Sequence, residues 1–256
     1  MPRHNRLQHV IPVSLREGIP TDQQERWKFL SCTLLERIAS MDYKTYINAE
    51  NWLGSYYELA IELQDSPDDA KLFQALKALW SYPSLSGGWL SKEDYGQLPI
   101  NFADGVADIE SLFHIYGLVT LPTTNVQFGC LSVVVREELG EGYNSDWLGL
   151  CFPVGMLEQV FTLEYPLDYE SNAMWMDQID MLLRDIANSI YEQVRFELAI
   201  LGEEVSGYVN KAELPFEDDK NSYLITPAVW NRLWSMGLND AQLKYKQLPS
   251  GLIRVL

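Results

Sequence analysis

Residues 126–154 read VQFGCLSVVVREELGEGYNSDWLGLCFPV. Val126–Arg136 is rich in β-branched side chains, which fit a pleated, packed surface. Glu137–Ser145 holds Gly140, Gly142 and Asn144, residues that turn a chain cheaply. Asp146–Val154 is apolar again. The pattern predicts an antiparallel hairpin that pairs 126–136 with 146–154 around a long acidic tip. Cys130 and Cys151 lie symmetrically about that turn. They are expected to face each other as two packed, inert thiols.

Downstream, residues 172–202 read NAMWMDQIDMLLRDIANSIYEQVRFELAILG. Trp175, Ile179, Leu182, Ile186, Ile190, Val194, Leu198 and Leu201 recur at helical spacing, so one long helix is expected from Asn172 to about Gly202. Beyond it the reading gives a possible strand near Tyr208, an acidic loop at 213–221 and a short strand at Tyr223–Ile225. A helix at Pro227–Met236 and a strand pair near Leu243–Leu256 follow.

Upstream, the pattern is helical. Residues 1–20 read as an extended arm, and Thr21-Asp22 with Glu25 opens a helix to about Ser40. A second helix is expected over Tyr43–Leu63, with Gly54 as its weak point. The third starts at Ser66-Pro67 and stops before Pro83. Residues 81–103 form a long irregular segment, and a fourth helix spans about Asp104–Tyr116. The expected fold class is α+β. It has a mainly helical N-terminal half, and an antiparallel hairpin or small sheet plus one long helix in the C-terminal half. Residues 1–256 are expected to form a single compact domain with sub-regions 21–117 and 118–256, meeting near Leu118–Asn125.

The chain has 19 Lys+Arg and 36 Asp+Glu, a formal charge of −17. Residues 51–200 hold 6 basic and 23 acidic groups, whereas 1–50 and 201–256 are close to neutral. Between Glu93 and Leu183, fifteen acidic residues face a single basic one, Arg136. Such a field repels nucleic acid and anionic membrane and attracts cationic surfaces. Hydrophobic residues make up 47%, with 8 Trp, 14 Tyr and 9 Phe, so the acidity accompanies a packed core rather than disorder. No apolar run of about 18 residues occurs, as a spanning helix would need. Val10–Val13 is too short for a signal core. Three cysteines without CxxC spacing suit a reducing compartment. The expected location is cytoplasmic.

Catalytic motifs are sparse. His114 is the only histidine beyond the N-terminal arm, and Glu110 precedes it by one helical turn. Its apolar neighbours Phe113, Ile115 and Tyr116 favour a structural role. HExxH, GxSxG, a P-loop and a strand-borne GxGxxG are all absent. Asp177, Asp180 and Asp185 on the long helix suggest a metal-dependent hydrolase. However, Arg184 and Arg195 sit at ion-pair spacing, and groups to bind phosphate are scarce. The tip residues Glu137, Glu138, Glu141, Asn144 and Asp146 lack EF-hand spacing. No cofactor and no metal are expected.

What remains is acid next to aromatics. The expected function is a non-enzymatic protein that engages a basic protein partner, of the inhibitor, immunity or DNA-mimic type. Glu137, Glu138, Glu141, Asp146, Asp168, Tyr169, Glu170 and Trp89 are expected at the contact, with Tyr165 and Trp175 as further anchors. A structural subunit of an assembly, packed through the long helix, is the third reading.

Overall fold

A computed structural model describes residues 41–64, 68–102, 112–139, 143–206, 221–236 and 244–255, all within a unit spanning Ser40–Leu256. The elements are α1 (Tyr43–Ile47), β1 (Tyr56–Gln64), α2 (Asp69–Trp80), β2 (Leu85–Trp89), β3 (His114–Thr120), β4 (Gln127–Leu139), β5 (Tyr143–Pro153), α3 (Val154–Leu157), α4 (Tyr169–Gln193), β6 (Leu198–Glu203), β7 (Ser222–Ile225), α5 (Pro227–Ser235), β8 (Tyr245–Gln247) and β9 (Ile253–Val255). Among the described residues the strands form one antiparallel sheet of nine, in the order β2-β3-β4-β5-β1-β6-β7-β9-β8.

This sheet overturns the expectation of a mainly helical N-terminal half. The predicted helix over Tyr43–Leu63 survives only as α1, capped by Asp42, whose carboxylate accepts from the Lys44 and Thr45 amides. A 3-10 turn follows at Ala49–Trp52, and Gly54 then adopts φ +95°, a conformation glycine enters without steric cost. Past that break the chain becomes β1, which lies mid-sheet between β5 and β6. Tyr57, Leu59, Ile61 and Leu63 face one side of the sheet, and Glu58, Ala60 and Glu62 face the other; all seven are buried. Residues 57–63 do alternate, but Tyr56, Leu59, Ala60 and Leu63 also fall at helical spacing, so the segment satisfies both periods.

Two further corrections have the same cause. The segment expected to close a fourth helix at Tyr116 is strand β3, paired to β4 with His114 opposite Val133. The long helix ends at Gln193, and Leu198–Glu203 turns back as β6, beside β1. Leu198, Ala199, Ile200 and Leu201 are all buried, again on both faces. The "irregular" 81–103 contains β2 and a 3-10 turn at Lys92–Asp94. Leu118–Asn125 is no junction between layers, because it runs from β3 through a turn into the neighbouring β4. The expected helix at 21–40, the N-cap at Ser66, the strand near Tyr208 and the acidic loop at 213–220 lie outside the described residues.

The 126–154 hairpin is present as β4 and β5, with Arg136 opposite Asp146 and Leu131 opposite Cys151. That register sets Cys130 and Cys151 on opposite faces, so they do not face each other, and each is buried and free.

Helices α2 and α4 cover one face. Trp175, Ile179, Leu182, Leu183, Ile186 and Ile190 of α4 meet Leu59, Ile61, Leu72 and Leu76 in the larger core. Helix α5 covers part of the other face, where Val229 and Leu233 pack on Ala60, Trp147, Ile200, Tyr223 and Val255. Trp80 lies so close over Gly117 that a Cβ there would sit 2.4 Å from its ring, and its indole N–H donates to Ser132 Oγ at 3.0 Å.

Candidate protein-binding surface

The start of β1 and the end of β6 are neighbours, because these strands run antiparallel with Tyr57 opposite Glu203. At this corner Ser55 Oγ donates to Glu203 Oε1 at 2.6 Å, and the Tyr56 amide donates to Glu204 Oε1 at 2.9 Å. The segment leaving α3 passes the same corner. There Tyr165 OH donates to Glu158 Oε1 at 2.7 Å. Local desolvation, that bond and the fields of Glu158 and Glu203 push the Tyr165 hydroxyl up to about 12. It therefore stays protonated, and a donor, throughout the physiological range. Tyr165 is 62% exposed, and Glu158, Glu164, Glu203 and Glu204 are exposed around and beside it.

The segment is held, not draped. Asn172 Oδ1 accepts from the Glu164 amide and from the Trp175 indole, while its Nδ2 donates to Glu164 O and Asp168 O. Asp168 caps α4 by accepting from the Ser171 amide at 2.8 Å, and that bond holds its carboxyl below the usual range. Tyr169 and Glu170 are exposed on the first turn, and Tyr169 OH donates to Asp177 Oδ1 at 2.9 Å. Ion pairs among the described residues join Arg136 to Asp69 and Asp146, and Arg184 to Asp185. None of these pairs involves Glu158, Glu164, Asp168, Glu170, Glu203 or Glu204.

The expected contact residues fall into three groups. Asp168, Tyr169 and Glu170 belong to this surface. Asp146 and Trp89 do not. Asp146 is buried, accepting from Arg136 Nε at 2.7 Å and from the Asp68 amide at 2.8 Å. The lone cation of the acidic middle is thus taken up by the half-buried pairs Arg136 makes with Asp146 and Asp69, and these two carboxylates hold the proton on its guanidinium. Trp89 is buried among Tyr46 and Tyr95, donating to Gln97 O. Trp175 is likewise core rather than anchor. Glu137 and Glu138 pair through their backbones with Ser145 and Asn144, and Glu141 lies outside the described residues. Glu158, Glu203 and Glu204 were not anticipated. Glu203 and Glu204 join the site through the β1–β6 pairing, which no local sequence signal announces, and Glu158 joins it from the end of α3 through its bond to Tyr165.

The other expected sites disperse. His114 is exposed at the start of β3, and Glu110 lies outside the described residues. Asp180 turns inward to accept from Tyr57 OH at 2.7 Å, Asp177 takes Tyr169, and Asp185 stands beside Arg184. Among the described residues, no group of three or more His, Cys, Asp or Glu is placed to hold a metal ion, and no helix is long and apolar enough to cross a membrane. Cys151 Sγ donates to Glu58 Oε2 at 3.1 Å, and burial raises both cysteine thiols well above their ordinary value. They are poor nucleophiles there.

Comparison with known proteins finds no matching protein family, no similar curated protein and no similar solved structure.

Proposed function

We propose that this chain is a non-enzymatic binding protein whose acidic surface engages a cationic protein, in the manner of an inhibitor, immunity protein or DNA mimic. One observation carries the reading: exposed Tyr165 donates to Glu158 within the field of Glu203, and Glu204 follows at the same β1–β6 corner, with none of the three carboxylates ion-paired among the described residues. Asp168, Tyr169 and Glu170 extend the same surface onto α4. An exposed aromatic ring in a preorganised acidic frame suits an incoming Arg or Lys, which stacks its stem or guanidinium on the ring and pairs its charge with the frame. Attraction of this kind acts mainly on association rate and is screened over about 8 Å at physiological salt.

The test is capture from native lysate on immobilised protein, followed by kinetics with the captured species. Retention should fall as salt rises. The triple variant Glu158→Lys, Glu203→Lys, Glu204→Lys should associate more than tenfold more slowly at low salt, with its circular dichroism unchanged. A control reversing the exposed Glu192, at the far end of α4, should change little. If the triple variant associates as fast as wild type, the acidic surface serves solubility alone.

A further inference from the structure

The two ends of the sheet are finished differently. At one end, β2 is closed off by the segment through Ile100, whose amide donates to Gly88 O at 2.8 Å. At the other end, β8 pairs with β9 alone among the described residues. The Leu248 amide donates to Leu252 O at 2.8 Å, making these two a hydrogen-bonded pair. Such pairs alternate along an antiparallel ladder, so Lys246 opposite Arg254 is the next one. Tyr245 and Gln247 therefore turn their backbone N–H and C=O groups outward. All three β8 residues are exposed. An open edge of this kind is a template for another strand.

The surroundings of the edge specify what that strand carries. The Tyr245 ring lies 4.7 Å from Trp230, which lies 5.6 Å from Trp234. Tyr245 is 50% and Trp234 42% exposed, so the ledge beside the edge is apolar and open. Residues 244–255 contain Lys244, Lys246 and Arg254 and no Asp or Glu. Neither Lys244 nor Lys246 takes part in an ion pair among the described residues. In a chain of charge −17, this is a local cationic border. A second copy is a poor occupant, because two β8 edges meeting about a two-fold axis would bring the same lysines together.

We propose that the free edge of β8 takes an extended acidic segment of a partner protein as a tenth strand. Tyr245 and Gln247 would supply its backbone hydrogen bonds, Lys244 and Lys246 would meet its carboxylates, and the Tyr245–Trp234 ledge would take its apolar side chains. This site is separate from the acidic surface around Tyr165 and stands or falls independently of it.

The test uses the isotope-labelled full chain and two synthetic peptides, one alternating Glu with Val and the other Lys with Val. The Glu peptide should shift the amide resonances of Tyr245 and Gln247 and slow their hydrogen exchange, and the Lys peptide should not. Gln247→Pro removes one outward N–H and leaves the inward Lys246–Arg254 pair intact. That variant, and separately Lys244→Glu with Lys246→Glu, should weaken Glu-peptide binding about five- to tenfold, with thermal stability retained. The triple variant at Glu158, Glu203 and Glu204 should bind the Glu peptide as wild type does. Equal binding of both peptides, no effect at Tyr245 and Gln247, or wild-type affinity in a folded Gln247→Pro variant would each overturn the proposal. Concentration-dependent dimerisation lost in Gln247→Pro would assign the edge to a second copy and overturn it too.

Discussion

At the scale of single residues, the fold uses its charges unequally. Asp146 and Asp180 are both drawn in from water, but with different partners. Asp146 meets Arg136 directly, whereas among the described residues Asp180 is bonded to Tyr57 OH and no ion pair joins it to the nearby Arg184 and Arg254. Burial raises the Asp180 pKa, outweighing the Tyr57 bond and the field of Arg254, with Asp177 adding to the rise. The raised value means that the folded state binds a proton more readily than the unfolded chain. Stability from this group is thus greatest below the unfolded value of about 3.9 and is lost as pH rises through the folded one. Asp180→Asn keeps an acceptor for Tyr57 and removes the charge. The variant should melt no lower than wild type at pH 7, and wild type should gain on it as the pH falls towards 4. Calorimetric melts at several pH values check this; a variant much weaker at pH 7 would show that ionised Asp180 is stabilised there.

At the scale of elements, legibility in the sequence followed exposure. Helix α4 was readable because one side is wet: Glu170, Asp177, Met181 and Asp185 alternate with a buried stripe. Leu182→Ala should therefore cost about 2–5 kcal/mol, measurable by urea unfolding, since it empties a site packed between helix and sheet. The β4–β5 hairpin was readable from its turn residues. Strands β1 and β6 were not, because their apolar residues also satisfy the helical period: Tyr56, Leu59, Ala60 and Leu63 in β1, and Leu198 and Leu201 as a continuation of the α4 stripe in β6. Misreading β6 as the tail of α4 also hid Glu203 and Glu204, and misreading β1 hid the corner they share with Ser55 and Tyr56. Asp168, Tyr169 and Glu170 were found because a helix start is a local event. Acidic residues near them in space but distant in sequence had no such marker, and the expected Asp146 gave no sign that Arg136 would bury it.

At the scale of the whole molecule, the sheet joins segments far apart in the chain, and β1 is the seam. Glu58 of β1 bonds to Cys151, 93 residues later, and to the Ser206 amide, 148 residues later. Time enters here. A ribosome adding roughly 5–20 residues per second needs about 7–30 s to advance from Glu58 to Ser206. Through that interval β1 has left the exit tunnel before its second neighbour exists: α2 and then β5 can meet it, but its β6 edge stays open. Stalled nascent chains ending before Leu198 should be cut readily by protease within 56–64, and chains extended past Ser206 should resist. Early resistance would mean that β1 and β5 form a stable unit without β6. The centre of the finished sheet is thus the segment that waits longest during synthesis, and a holding chaperone would have most to protect there.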